Sequence, residues 1–346
     1  MEHLETIRYD KAKNKVTILN QTELPNRLVY RALTTLEEVF VAIRDLEVRG
    51  APLIGITAAY GLAMYAQNLA YNNMSAFMQA VFEAKAYLET ARPTAVNLEN
   101  ALNRMTDGLD EVTSVEDGKA LLLARAYALH EEDRRIGEAI GCYGAALLKD
   151  GAKVMTYCNA GLLATGNSYG TALAPVYRAK EQGKAVSVVA CETRPILQGA
   201  RLTTFELTYQ GVDTTLITDN MMGWLLATHP IDAIFVGCDR VALNGDFANK
   251  IGTYTLAVMA KTHGIPFYVC TPSTTIDFSA LNGESIRIEM RDPEEVRRLW
   301  YEKPMVTDKA AILNPAFDCT PASYVTGFIT EKGILHPPFT KEMFEL

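Results

Sequence analysis

The chain has 346 residues, 49% of them hydrophobic and 21% charged, with a formal net charge of −8. That length suggests about two domains with ample material for a core, and the composition excludes global disorder. The acidic balance leaves no basic excess to neutralise a nucleic-acid backbone, whereas a small phosphorylated ligand needs only a few local cations.

The first 33 residues read as short strands, ETIRYD, KVTILN and LVYRAL, broken by Asn- and Pro-containing turns. Thr34 and Thr35 precede Glu37 and Glu38 at capping-box spacing, which opens a helix toward Val48. No charged residue occurs from Gly50 to Phe82. Its Gly and Asn punctuation and its alanine content favour a buried, closely packed helix begun at Pro52 over a membrane span. Ser75 is the expected cap of the next helix, which runs toward Arg92-Pro93, and further helices are expected near 97–109 and 114–148.

From Gly151 the pattern becomes strand–helix alternation. AKVMTYC (152–158), AVSVVAC (185–191), DTTLIT (213–218), DAIFVGC (232–238) and PFYVC (266–270) are near-continuous apolar strands separated by helical stretches. Such a pattern implies a parallel sheet covered on both faces. The expected fold is α/β: a C-terminal Rossmann-like, doubly wound parallel sheet, preceded by a mainly helical N-terminal domain with a small antiparallel sheet. The expected division is 1–145 and 146–346.

The six cysteines (Cys142, Cys158, Cys191, Cys238, Cys270, Cys319) make no CxxC pair or metal-finger spacing, and the five histidines (His3, His130, His229, His263, His336) stand singly. Neither a metal site nor a disulfide framework is expected. The polar start MEHLETIRYD lacks an apolar signal core, so reduced thiols and a cytoplasmic location are expected.

The strands of the second half end in unusual polar chemistry. Cys158-Asn159-Ala160-Gly161 follows the first, Glu192-Thr193-Arg194-Pro195 and Gln198 the second, Asp239-Arg240 and then Asn249-Lys250 the fourth. The carboxyl ends of strands in an open α/β sheet are where ligands bind. A thiol at Cys158 and a carboxylate at Asp239 make a candidate acid/base pair for moving protons on carbon. Two readings of Cys158 stand here, core filler or catalytic group. Asp239 ends a mostly apolar run, where a charge needs a partner or a task. Cys191, Cys238, Cys270 and Cys319 read as core thiols, and Glu192 and Arg194 pair with each other or with a ligand. Neither G-x-G-x-x-G nor a Walker-type loop follows a strand, which disfavours dinucleotides and nucleoside triphosphates and favours a phosphosugar. Arg49, Arg92 and Lys250 are then candidate phosphate or hydroxyl contacts, with surface ion pairing as the other reading.

RGAPLIG, ARPTAVNL, CNAGLLAT with YGTALAP, ETRPILQGARLTTFEL, VGCDRVALNGDFANKIGTYTLA, PFYVCTPSTTID and NPAFDCTPASYVTGFITEKG resemble the methylthioribose-1-phosphate isomerase family. The blocks run over residues 49–333, nearly the whole chain. The wider superfamily includes ribose-1,5-bisphosphate isomerase, 5-deoxyribose-1-phosphate isomerase and the regulatory α, β and δ subunits of translation initiation factor 2B. The resemblance implies conversion of 5-methylthio-α-D-ribose 1-phosphate to the 1-phosphoribulose, a step of methionine salvage, by a homodimer with no organic cofactor. Its substrate contacts fall on Arg49, Gly50, Ala51, Arg92, Gln198, Asn249 and Lys250, and its catalytic residues on Cys158 and Asp239.

Phosphate on C1 locks such a sugar as a ring. The expected chemistry is that Asp239, protonated in a dry site, donates to the ring oxygen, after which hydrogen moves from C2 to C1 while the C2 hydroxyl loses its proton, with thiolate Cys158 as the base if an enediol forms. An enediol and a direct hydride shift are both open. Cys191 stands where the family has an acidic residue, and the Gly166-Asn167-Ser168 segment is slightly longer than the family pattern. That segment follows Cys158, so methylthioribose and 5-deoxyribose phosphates stay unseparated as substrates. No extra basic cluster is present for the second phosphate of ribose 1,5-bisphosphate. A regulatory subunit, the second class of function, should not need both the thiol and the acid, and this chain has both.

Overall fold

A computed structural model describes residues 4–92 and 96–344. It divides into two units: one of Met1–Arg135 with Leu162–Gly170, the other of Ile136–Gly161 with Thr171–Leu346. The chain passes from one unit to the other inside a helix, at Arg135, and the segment after Cys158 returns to the first.

The first unit begins with an antiparallel sheet of β1 (Ile7–Asp10), β2 (Lys15–Leu19) and β3 (Tyr30–Leu33). Helix α1 (Leu36–Arg44) starts at Thr35, whose hydroxyl accepts the Glu38 N–H while the Glu38 carboxylate accepts the Thr35 N–H. This capping box satisfies donors that the first turn leaves open. Helix α2 (Ala51–Gln67) is apolar all round, and Leu53–Met64 are buried without a break, as expected of a core helix. No helix among the described residues is long and apolar enough to cross a membrane. Helix α3 (Met74–Glu89) is capped by Asn73, whose side chain accepts the Ser75 N–H at 2.8 Å. The cap is therefore two residues ahead of the expected Ser75. Helices α4 (Val96–Thr106) and α5 (Val115–Ala145) complete the helical part. The core joins Ile7, Val16 and Ile18 of the sheet to Val39, Leu53, Phe77, Leu98 and Leu122 of the five helices. Burying one such side chain contributes roughly 1.5–3 kcal/mol.

The second unit contains β4 (Ala152–Thr156), α6 (Ala174–Glu181), β5 (Val186–Cys191), α7 (Thr204–Tyr209), β6 (Asp213–Ile217), α8 (Met222–Thr228) and β7 (Ala233–Val236). The short β8 (Arg240–Val241) and β9 (Phe247–Lys250) follow, then α9 (Thr253–Thr262), β10 (Phe267–Cys270) and α10 (Glu294–Arg297). The chain ends with β11 (Phe317–Thr320), β12 (Gly327–Thr330), β13 (Gly333–Leu335) and α11 (Lys341–Phe344). The main sheet has the order β13-β12-β10-β7-β4-β5-β6, parallel throughout except for the edge strand β13. Every residue of β7, β10 and β12 is buried. Alternate side chains point to opposite faces, so both faces of these strands are covered. This is the expected doubly wound α/β sheet.

Counted from β4, the six parallel strands lie in the order 3-2-1-4-5-6, which reverses direction between β4 and β7. The crevice outside the carboxyl ends of strands at such a reversal is where this fold binds ligands. A second antiparallel sheet, β11-β9-β8, grows from the end of β7.

Candidate active site

Two strands leave the reversal point side by side. The β4–β7 register pairs Thr156 with Phe235, so two residues further on Cys158 is level with Gly237, and Cys238 and Asp239 follow immediately. The sheet topology brings the thiol and the carboxylate to one edge.

Cys158 is buried, and its backbone is left-handed, φ +62°. A non-glycine residue there costs on the order of 1–3 kcal/mol and persists only where its surroundings over-determine it. They do so here from both sides. The Cys158 N–H donates to Thr193 Oγ1 at 2.9 Å, and Thr203 Oγ1 donates to the Cys158 carbonyl at 2.6 Å. Thr193 is itself left-handed, φ +64°, and its turn is tied to Asp219, which accepts the N–H of Thr193 at 2.8 Å and of Arg194 at 2.7 Å. Next to Cys158, Asn159 Nδ2 donates to Thr203 Oγ1 at 3.2 Å and to Glu206 Oε1 at 3.1 Å, all three side chains being buried. Gly161 is required beneath them, because a Cβ there would lie 1.6 Å from Glu206 Oε1.

Asp239 is exposed, so the dry surroundings expected for it are not supplied by its own neighbours in the fold. Its N–H donates to the Ala248 carbonyl at 2.9 Å, and the β8–β9 register (Arg240 with Ala248) continues to bring Asp239 level with Asn249. On the other side of β9, β11 sets Asp318 beside Asn249 and Phe317 beside Lys250. Asn249 is buried and donates from Nδ2 to Thr253 Oγ1 at 3.0 Å. The Lys250 ammonium lies 4.4 Å from the Phe317 ring centroid, a cation–π contact. Asp318 caps α9, accepting the Gly252 N–H at 2.7 Å and the Tyr254 N–H at 3.1 Å. Burial pushes its carboxyl up to about 6 despite these bonds.

Gln198 immediately precedes the π turn at Gly199–Thr203, which leads from the connection after β5 into α7. It is buried, and its Oε1 has no hydrogen-bond partner among the described residues. An unpaired buried acceptor is costly and asks for a donor. Arg194 does not pair with Glu192; its guanidinium donates to the carbonyls of Pro195 at 3.0 Å and Val296 at 3.3 Å and lies over the Tyr301 ring. Burial pushes the thiols of Cys191, Cys238 and Cys270 well above their ordinary range and that of Cys319 up to about 11. These four behave as the core thiols expected of them, with Cys238 and Cys319 only half-buried.

The remaining expected contacts belong to the first unit. Arg49, half-buried, precedes Gly50 and Ala51 at the start of α2. That helix has no side-chain cap and no acidic residue in its first turn, which leaves the positive end of its dipole to other anions. Gly50 is fixed by φ +93° and by the backbone it touches, since a Cβ would lie 2.3 Å from the Ala164 carbonyl oxygen. Arg92, half-buried, follows α3; the Pro93-Thr94 part of its motif lies outside the described residues, as does His3.

The segment Leu162–Gly170 is held within this unit. Thr6 Oγ1 donates to the Thr165 carbonyl at 2.8 Å and Gln21 Nε2 to the Leu163 carbonyl at 2.6 Å. His130 Nε2 donates to the Gly166 carbonyl at 2.7 Å, which fixes the proton there and leaves Nδ1 facing the Tyr60 hydroxyl at 2.9 Å. Asp133 accepts the Gly166 N–H at 2.9 Å and Asn167 Nδ2 at 3.0 Å. Burial raises the Asp133 carboxyl to about 7.

Thr193 and Asp219 stand among the polar groups that follow the second and third strands in the sequence, whereas nothing there singled out Thr203, Glu206 or Asp133. The one available signal was a charge, Glu206, inside a short apolar and hydroxyl-rich helix.

The chain matches the model of the initiation factor 2 subunit family over residues 47–337. It is 49% identical to the methylthioribose-1-phosphate isomerase of Symbiobacterium thermophilum, over 100% of this chain and 96% of that protein. It is 47% identical to the 5-deoxyribose 1-phosphate isomerase of Moorella thermoacetica, over 95% and 94%. The crystal structure of 5-methylthioribose 1-phosphate isomerase from Pyrococcus horikoshii superposes with a TM-score of 0.92 at 39% identity, covering 99% of this chain and 95% of that one. The expected kinship therefore holds along the whole chain, and the protein belongs to the initiation factor 2 subunit family.

Proposed function

We propose that the protein converts 5-methylthio-α-D-ribose 1-phosphate to 5-methylthio-D-ribulose 1-phosphate, a step of methionine salvage. That it is a sugar-phosphate isomerase rests on its full-length kinship with proteins so named. The observation that carries the mechanism is the position of Cys158 and Asp239 at the carboxyl ends of β4 and β7, on either side of the strand-order reversal.

In this reading Asp239 gives its proton to the ring oxygen as the bond from C1 to that oxygen breaks. Hydrogen then passes from C2 to C1 and C2 becomes the ketone. In an enediol route Cys158 takes the proton from C2 and returns it to C1 while the C2 hydroxyl proton goes back to the ionised Asp239; in a direct shift the hydrogen moves as hydride and Cys158 accepts the C2 hydroxyl proton. Because Asp239 is exposed in the structure, the seated sugar supplies part of the water exclusion that keeps it protonated. The phosphate and hydroxyls take Arg49, Gly50, Ala51, Arg92, Gln198, Asn249 and Lys250. The unpaired buried Oε1 of Gln198 supports a hydroxyl donor at that position, and the uncapped start of α2 supports an anion. A homodimer in the cytoplasm goes with the reading.

5-Deoxyribose 1-phosphate is the second candidate substrate, favoured by the equally full-length relative named for it. Turnover of both sugars and of ribose 1,5-bisphosphate by the purified protein, beside Cys158→Ser and Asp239→Asn, is the test. Both variants are expected to lose at least about a hundredfold in kcat. Wild-type-like rates in both would sink the mechanism, and no turnover of any sugar by the native protein would sink the isomerase reading. Solvent deuterium at C1 of the product would support the enediol route, and complete retention of the C2 hydrogen would count against it.

A further inference from the structure

We propose that Thr203, on the π turn that opens α7, is a positioning residue for Cys158, acting with Glu206 and opposite Thr193. The inference rests on the reading of Cys158 as the base. Three observations meet at this point. Cys158 holds a left-handed conformation that its own side chain disfavours. Its N–H and its carbonyl are each bonded by a threonine hydroxyl, Thr193 and Thr203. Both threonines are 0% exposed, so no solvent can take over either bond.

The hydrogen-bond count closes around Thr203. Its single hydroxyl proton goes to the Cys158 carbonyl, so the oxygen can only accept from Asn159 Nδ2. Asn159 gives its other amide proton to Glu206, which lies one helical turn beyond Thr203 and shares its face. Glu206 thereby fixes the amide, the amide fixes the hydroxyl, and the hydroxyl fixes the carbonyl of the reactive residue. A π turn in place of an α turn is a common device at functional sites. A reactive side chain on a strained turn directly after a parallel strand is also how other α/β enzymes present a nucleophile.

The experiment compares Thr203→Val, which keeps the shape and removes the hydroxyl, with Thr203→Ser, which keeps the hydroxyl. Two readouts are taken: kcat and KM on methylthioribose 1-phosphate, and the rate at which iodoacetamide alkylates Cys158 without substrate, followed by peptide mass spectrometry. Misplacement of a reacting group by about 1 Å costs on the order of a hundredfold, so Thr203→Val is expected to lose about 10- to 100-fold in kcat with KM within about twofold. Its alkylation rate should depart severalfold from the native value, and Thr203→Ser should recover most of both. A valine variant with native kcat, a serine variant as poor as valine, or kcat and KM falling together with the melting temperature would overturn the proposal. If the native protein turns over none of the sugars, the functional reading fails separately, and the alkylation rates alone decide the positioning. Should Thr203→Val not fold, Thr193→Val breaks the other bond to Cys158 and is judged by the same criteria.

Discussion

Replacing Asp133 by asparagine tests whether the segment after Cys158 is clamped by a carboxyl that burial keeps protonated. Asp133 is 7% exposed, on α5, and it holds Gly166 and Asn167. Burial raises its pKa from 3.8 to about 7, with the Glu132 charge adding to the rise and the bonds from Asn167 and Gly166 opposing it. The sign follows from proton counts. Below about pH 4 the folded and unfolded chains both carry this proton. Between about 4 and 7 only the folded chain keeps it, so the contribution of Asp133 to stability falls as pH rises; above about 7 neither form holds it and the dependence ends. At 1.36 kcal/mol per unit, roughly three units give about 4 kcal/mol as an upper bound. Urea unfolding of the native protein and of Asp133→Asn at several pH values isolates the term, because the other titrating groups cancel in the difference. The native-minus-variant stability should drop by up to about 1.4 kcal/mol per unit through pH 5–6 and level off above pH 7. A carboxyl carbon resonance of Asp133 with its inflection near 7 would agree. A difference that is flat, or that rises with pH, would show that the donors from Gly166 and Asn167 outweigh desolvation and would refute the argument.

Gly50→Ala puts a methyl group 2.3 Å from the Ala164 carbonyl oxygen at φ +93°; strain and overpacking together should remove about 2–5 kcal/mol, and an unchanged melting temperature would show that α2 can shift freely. Gln198→Met removes a buried acceptor that has no partner among the described residues. It should leave the unliganded protein as stable or up to about 1 kcal/mol more stable while raising KM. Lost stability with native KM would instead make Gln198 a structural residue.

The sequence made the large elements legible because they are written in local chemistry. The capping box before α1, the charge-free run of α2 and the apolar strands β4 and β7 depend on neighbours a few residues away. What was not legible depends on partners far along the chain. The β11-β9-β8 sheet is built from strands of two to four residues, too short to carry a period, and its register is set by pairing after β7 ends. The strands β12 and β13 became visible only through the neighbours they extend.

The candidate site divides in the same way. The identities of Cys158 and Asp239 are readable as reactive groups after apolar strands, but their adjacency is not. It follows from the order 3-2-1-4-5-6, in which the first and fourth strands must be neighbours. The left-handed turn at Cys158 lies deeper still, because the cysteine has no local reason to adopt it. The reason is two threonine hydroxyls, one on the turn after β5 and one on the π turn of the next helix. Each of those turns is anchored by a further carboxylate, Asp219 for the first and Glu206, through Asn159, for the second. Neither threonine is unusual as a residue type, and either would pass as an ordinary buried hydroxyl. Their role exists only once the end of β5 has been brought alongside the end of β4, which is why the reactive residue could be named from sequence and the residues that aim it could not.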